Sequence, residues 1–204
     1  MFRPEIFQQT DHSSMLKFMR AHPFASLVSH NEHGLNAEHI PFLIRTNTSS
    51  GTMLFAHIAK ANPLWKALES GASVLVLFQG DNSYISPNWY PSKKTDSRVV
   101  PTWNYTAVHA KGRIEFIHDS EWLLSLLNDL TQFHEQTQSR PWEVSDAPEG
   151  FIERQLSAIV GLEIVVDDVL GKFKLSQNQS SENRQGVQSG LKRCGRDMAD
   201  LIDV

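Results

Sequence analysis

A chain of 204 residues, 40% hydrophobic and 21% charged, has ordinary globular composition and is long enough to bury a sizeable core in one large domain. Its formal net charge of −4 argues against an extended nucleic-acid-binding face, and no block of basic residues stands out to supply one. The single cysteine, Cys194, excludes an intrachain disulfide and a CxxC metal or redox motif. Met1 to Gln9 lacks the charged and apolar regions of a secretory signal, and apolar runs such as Val74 to Phe78 are too short to cross a bilayer, so a cytoplasmic chain is expected.

Asp11 stands before Met15, Leu16, Phe18 and Met19 at helical spacing and is expected to cap a short amphipathic helix ending before Pro23. Phe24 to Ser29, a turn at Asn31-Glu32-His33-Gly34, and Leu35 to Ile44 read as a β-hairpin. A second turn around Thr48-Ser49-Ser50-Gly51 leads to a strand over Thr52 to His57. Asn62-Pro63 starts a short helix with Leu64, Trp65, Ala67 and Leu68 as its apolar side, closed by Gly71. Ala72 to Gln79 then reads as a buried strand, Gly80-Asp81-Asn82 as a turn, and Ser83 to Ser86 as a short strand. The prolines around Trp89-Tyr90 take the chain out of the sheet, and Ser92 to Arg98 reads as a polar, mobile loop.

Val100 to Ile117 suits one long, bent strand or two broken at Lys111-Gly112. Asp119 or Ser120 caps the clearest helix, whose apolar face carries Trp122, Leu123, Leu126, Leu127, Leu130 and Phe133. Pro148 opens a short helix through Leu156, Ile159 to Val166 is a strand, and an acidic turn at Asp167-Asp168 precedes a strand over Val169 to Leu175. From Ser180 the chain is polar and helical through Arg193, and weakly apolar again at Met198, Leu201 and Ile202. Six to eight strands without regular strand–helix alternation point to a mainly β protein with peripheral helices (α+β), a small closed or nearly closed barrel.

No GxGxxG fingerprint, phosphate loop or GxSxG elbow occurs. His30, His33 and His39 invite a metal reading, yet lack carboxylate or thiolate partners at metal-site spacing; a solvated hairpin turn is the plainer one. His57, Lys60 and Asn62 lie where a strand meets a helix start, whose free N–H groups suit a phosphate; alternatively Asn62 only caps and Lys60 is solvated. Strand alternation puts Thr102, Asn104 and Thr106 on one face and Trp103, Tyr105 and Ala107 on the other, so that one face packs and the other is free to bind a flat ligand. Lys172, Lys174 and Ser176 share a face that could meet a phosphate or carboxylate, or form a lysine-protected edge. Trp89-Tyr90 and Trp103-Tyr105 suit stacking on a planar ligand or a subunit interface. Cys194 follows Lys192-Arg193, without a placed partner that would make it a nucleophile.

Four ordered stretches, Ala56-His57-Ile58-Ala59-Lys60-Ala61-Asn62-Pro63, Tyr84-Ile85-Ser86-Pro87-Asn88-Trp89-Tyr90, Val100-Pro101-Thr102-Trp103-Asn104-Tyr105 and Lys172-Phe173-Lys174-Leu175-Ser176-Gln177-Asn178, resemble the PaiB family of FMN-binding negative transcriptional regulators, as does His39-Ile40-Pro41-Phe42. The likeness runs from Met1 to about Gly190, leaving 191–204 as a helical C-terminal tail. It implies an FMN-binding split β-barrel, related to pyridoxamine-phosphate-oxidase-like flavoproteins, whose homodimer holds the flavin at its interface. By motif position His57, Lys60, Ala61 and Asn62 resemble the phosphate end, His39 and Pro41 approach from the neighbouring strand, and Trp103, Asn104 and Tyr105 form a wall, contributed by the same or the second chain. Lys172, Lys174, Gln177 and Asn178 belong to the C-terminal signature. Gln179 stands where members usually carry arginine, and Lys60 replaces an arginine common among relatives, a point charge in place of a bidentate fork.

The implied function is a flavin-dependent sensor or transcriptional regulator. The acidic balance and the lack of a helix-turn-helix signal or basic recognition helix leave direct DNA binding unsupported. The same fold serves NAD(P)H-dependent FMN oxidoreductases and haem-binding or haem-degrading relatives, which are the alternatives.

Overall fold

A computed structural model describes residues 1–47 and 51–204. Among the described residues there are eight strands: β1 (Gln8–Gln9), β2 (Phe24–Asn31), β3 (Gly34–Pro41), β4 (Leu43–Asn47), β5 (Gly51–Ala59), β6 (Ala72–Ile85), β7 (Thr102–Ile117) and β8 (Ile159–Lys174). Five helices accompany them: α1 (His12–Ala21), α2 (Leu64–Ala67), α3 (Ser120–Glu135), α4 (Phe151–Ser157) and α5 (Ser181–Arg193). The strands hydrogen-bond in the order β3-β2-β6-β7-β8-β5-β4, with β1 added on β8. Mainly β with peripheral helices is therefore the correct class, and of the closed or nearly closed barrel expected, the sheet is not closed.

Closure fails at Phe42. Leu35 to Ile44, expected as one strand, is two: β3 pairs with β2 in register Phe24↔Pro41 to Asn31↔Gly34, whereas β4 pairs with β5 in register Leu43↔Phe55 to Asn47↔Gly51. Between them the Phe42 N–H donates to the Pro23 carbonyl at 2.9 Å and its ring is fully buried. Burying that ring diverts the chain from one partner to another, so β3 and β4 end the sheet order. The expected turn residues Thr48 to Ser50 lie outside the described residues; Gly51 beside them has φ +71°, and Gly34 in the first hairpin φ +106°.

Two further expected turns are absent because glycine and aspartate serve the sheet instead. Gly80 lies inside the continuous strand β6, where an added Cβ would come within 2.5 Å of Thr106 Oγ1 and 2.7 Å of the Phe18 ring. Asp167 and Asp168 lie inside β8, facing Arg113 at 3.9 Å and Lys111 at 3.7 Å on the adjacent β7. Cross-strand pairs of opposite charge are favourable on an exposed face.

Two compact units make up the chain: residues 1–18, 78–109 and 170–204, and residues 19–77 and 110–169. Asp11's expected helix continues to Ala21; in the second unit Met19, Leu27, Phe42, Leu54, Val76, Ile114, Leu162 and Ile164 are almost wholly buried. The Asp119 carboxylate accepts from Trp122 N at 2.8 Å and starts α3 as expected. Its apolar face sets Leu126 and Leu130 against Phe55, with Leu43, Met53 and Trp122 around them, each buried leucine contributing about 1.5–3 kcal/mol. In the first unit α5 and the turn over Asp197–Leu201 bury Val187, Leu191, Met198, Ala199 and Ile202 against Ile85 and Tyr90. Trp89 packs here too: Cβ atoms on Gly186 and Gly190 would fall 2.0 Å from its carbonyl oxygen and 2.3 Å from its ring. The Trp89-Tyr90 pair, expected at a ligand or subunit interface, is thus part of the intrachain core. Ser92 is anchored to the same helix, its N–H donating to Asn183 Oδ1 at 3.2 Å. Among the described residues no helix is long and apolar enough to cross a membrane.

Candidate functional site

The alternation of β7 divides its first half into two faces. Asn104, Thr106 and Val108 are buried, whereas Trp103 is 54% exposed and Tyr105 and Ala107 are half-buried. Trp103 meets the half-exposed Tyr84 ring edge-on, with centroids 6.1 Å apart. The packing face is therefore the asparagine face, and the open, flat surface belongs to the aromatics.

Asn104 is fully enclosed, and its amide is spent inside the protein. Its Nδ2 donates to Ser176 Oγ at 2.9 Å, and the Ser176 hydroxyl donates back to Oδ1 at 3.3 Å. Ser176 is the one non-glycine described at positive φ, +67°, a conformation that costs an L-residue about 1–2 kcal/mol. Gln177 holds the same bend: Oε1 accepts from Leu175 N at 2.7 Å and Nε2 donates to the Phe173 carbonyl at 2.6 Å. Asn178 is exposed, and Gln179 N donates to the Ser176 carbonyl. Ser176, expected on one face with the two lysines, turns instead toward Asn104 beyond the end of β8. The Leu175 to Asn178 part of the C-terminal signature is thus a chain reversal carrying β8 into α5.

Lys172 and Lys174 precede that bend on one side of β8. Lys172 is only 8% exposed; its ammonium donates to the Phe2 carbonyl at 3.1 Å and lies over the Tyr105 ring at 5.2 Å and the Phe2 ring at 5.7 Å. Lys174 donates to the Thr102 hydroxyl and, at 2.9 Å, to the Trp103 carbonyl, with the Phe7 ring at 6.0 Å. Neither ammonium is in an ion pair with a carboxylate among the described residues. Burial lowers the Lys174 pKa and the Lys172 charge lowers it further, with Tyr105 acting the other way. Two part-buried ammoniums are here met by neutral oxygens and aromatic faces, partners weaker than an anionic oxygen. Phe2, Phe7 and Thr102 were not foreseen as members of this group; nothing in their spacing announces it.

The remaining expected residues lie in the other unit. His57, opposite Gly161 in the β5–β8 ladder, has a buried Nδ1 without a hydrogen-bond partner, and burial lowers its pKa. Lys60 is exposed, its ammonium 3.4 Å from the Ser157 carbonyl, and its own carbonyl accepts from Trp65 Nε1 at 2.9 Å. The Trp65 ring meets His118 edge-on at 5.2 Å, a neighbour that sequence spacing could not supply. The amides expected free at this corner are largely engaged: Lys60 N to Ala158 O, Asn62 N to Ala59 O, Leu64 N to Asn62 Oδ1 and Lys66 N to Pro63 O. The following α2 is a single turn. Asn62 Oδ1 therefore caps this turn, Ala61 is exposed, and few N–H groups are left free at the helix start. His39 and Pro41 are exposed on β3, His39 with its ring 6.3 Å from Phe24.

A family model described as "Putative FMN-binding domain" matches residues 1–168. The chain belongs to this family. The protease synthase and sporulation protein PAI 2 of Bacillus subtilis is 30% identical over 100% of this chain and 97% of its own length, in agreement with the PaiB resemblance carried by the motifs. A protein of Emericella nidulans without assigned function is 36% identical over 82% of this chain and 79% of its own. Among solved structures, the FAD- and haem-binding protein from Mycobacterium smegmatis superposes with TM-score 0.61 at 16% identity, covering 90% of this chain and 80% of that one. The flavocytochrome Anf3 of Azotobacter vinelandii does so with TM-score 0.61 at 14% identity, covering 91% and 78%. At these identities the likeness is one of fold: an open split-barrel arrangement of mainly β structure.

The first-unit side chains fit a flavin mononucleotide on two counts. A cation pair lacking a carboxylate partner suits a phosphate dianion, and an exposed tryptophan beside tyrosines suits a flat heteroaromatic ring.

Proposed function

We propose that the chain binds FMN as a homodimer and acts as a cytoplasmic, flavin-dependent regulator of the PaiB type. The observation that carries this reading is the Lys172–Lys174 pair, two ammoniums on one strand with carbonyls and rings around them and no carboxylate. Lys172 and Lys174 would hold the phosphate, and Trp103 and Tyr105 would offer flat surfaces to the ring system. Asn104, Gln177 and the Ser176 bend set the lysines in place, and exposed Asn178 flanks them. Trp103 and Val100, both more than half exposed, give this unit an apolar edge for a second chain to cover. His39, Pro41, His57, Lys60, Ala61 and Asn62 would reach the flavin from that second chain. When bound, FMN supplies a ring able to take one or two electrons, which is what a redox or ligand sensor needs. With a net charge of −4, control of transcription would run through a partner rather than through direct phosphate contacts to DNA.

Titration of FMN into purified protein, read by quenching of flavin fluorescence, tests the assignment. Lys174→Ala is expected to weaken FMN about tenfold or more, the loss of one charge-assisted contact, whereas Lys93→Ala on the Pro91–Lys94 turn leaves affinity unchanged. A loss confined to Lys60→Ala would move the phosphate to the corner between β5 and α2, and no binding by the wild type would end the FMN reading.

A further inference from the structure

The lysine pair is contacted by the segment over residues 1–7. Gln8 and Gln9 pair with Lys172 and Gly171 on β8, and Gly171 makes that close approach possible, since a Cβ there would stand 2.8 Å from Gln9 Cβ and from Met15 Sδ. Beyond this anchor, residues 1–7 form no strand. Glu5–Phe7 is a single 3-10 turn, closed by Phe7 N donating to Pro4 O at 2.9 Å, and Gln8 Nε2 donates to the Arg3 carbonyl at 2.9 Å. What holds the segment over the cations is the Phe2 carbonyl and ring on Lys172 and the Phe7 ring on Lys174. Phe2 is nevertheless 83% exposed, and Met1 and Ile6 are exposed as well, so that of the apolar side chains in the segment only Pro4 and Phe7 are partly buried.

A neutral carbonyl is a weaker partner for an ammonium than an anionic oxygen. We propose that residues 1–7 form a displaceable strap, hinged at Gln8–Gln9, which occupies the Lys172–Lys174 anion site and is expelled when a phosphate-bearing ligand binds there. The inference rests on placing the phosphate at these lysines, and it adds a regulatory step: binding releases residues 1–7 from the lysines as a free arm. The strap is a competitor, so loosening it strengthens ligand binding, while a clamp that closed over the ligand would do the reverse.

Two measurements on the full-length protein decide this. Hydrogen exchange of the 1–9 peptide is followed with saturating FMN and, separately, with inorganic pyrophosphate; faster exchange at residues 2–7 is expected with each. Phe2→Ala, which removes an exposed ring from a cation and so spares the fold, is expected to bind FMN about twofold to fivefold more tightly, the scale of one exposed ring–ammonium contact. Weaker or unchanged FMN binding by Phe2→Ala, or exchange that slows or stays constant as ligand saturates, overturns the strap. If FMN binds neither protein while pyrophosphate still frees residues 2–7, the strap stands and the flavin assignment falls. If FMN binds and the segment does not respond, the flavin assignment stands and the strap falls.

Discussion

Replacement of Asn104 by alanine separates a ligand-binding residue from a structural one, because the structure encloses Asn104 entirely and gives its amide to Ser176. Asn104→Ala removes both hydrogen bonds between the two side chains and leaves the buried Ser176 hydroxyl without its partner, a loss of about 1–3 kcal/mol. It also removes the clamp on a serine at φ +67°, whose conformation costs about 1–2 kcal/mol to hold. Since the φ cost is carried by wild type and variant alike, the predicted destabilisation is about 1–3 kcal/mol, a fall in Tm of about 2–4 °C for each kcal/mol in a chain of this size. The bend itself has a second signature. Ser176→Ala and Ser176→Gly lose the same hydroxyl, but only glycine adopts positive φ freely, so the alanine variant should be less stable by about 1 kcal/mol. Urea unfolding followed by circular dichroism measures all three variants. An Asn104→Ala protein within about 0.5 kcal/mol of wild type, or a Ser176→Ala protein no worse than Ser176→Gly, would refute the proposed clamp.

The helix that carries Gly186 tests packing against propensity. An alanine normally gains about 1 kcal/mol over glycine inside a helix, yet a Cβ at Gly186 would lie 2.0 Å from the Trp89 carbonyl, and overpacking of this kind costs about 1–3 kcal/mol; Gly186→Ala should therefore melt below wild type, and a rise in Tm would show that α5 does not sit so close. Burial holds His57 below its ordinary pKa of 6.5, so the unfolded chain takes up this proton first as the solution is acidified. That contribution to stability is intact above about pH 6.5 and is lost as pH falls toward the depressed folded value. His57→Gln should flatten the decline in unfolding free energy between about pH 7 and pH 5, and an unchanged slope would assign the proton uptake to another group.

Local chemistry made much of the fold legible. Asp11 and Asp119 announce helix starts because a carboxylate is needed where amides have no helical partner, and Gly34 announces a hairpin because few other residues take its φ. The same local signals misled at Gly80 and at Asp167-Asp168. There the residues answer to neighbours distant in sequence: Thr106 and Phe18 crowd the glycine, while Arg113 and Lys111 on β7 balance the aspartates, so each stretch remains strand. Phe42 is similar: its buried ring, directly after Pro41, stands where the expected strand divides into β3 and β4.

The sequence by itself determined the family through its ordered motifs, the mainly β class through short alternating segments, and the two faces of β7 through a period of two, all of which depend on neighbouring residues alone. Tertiary structure decided which face does what. It placed Asn104, 72 positions from Ser176, in a buried pair at the bend after β8. It also brought Phe2 to Lys172 across 170 positions, creating a covered cation site that no spacing in the chain foretells, because such contacts arise only when β1 pairs with the far end of the sheet's longest-range strand partner, β8.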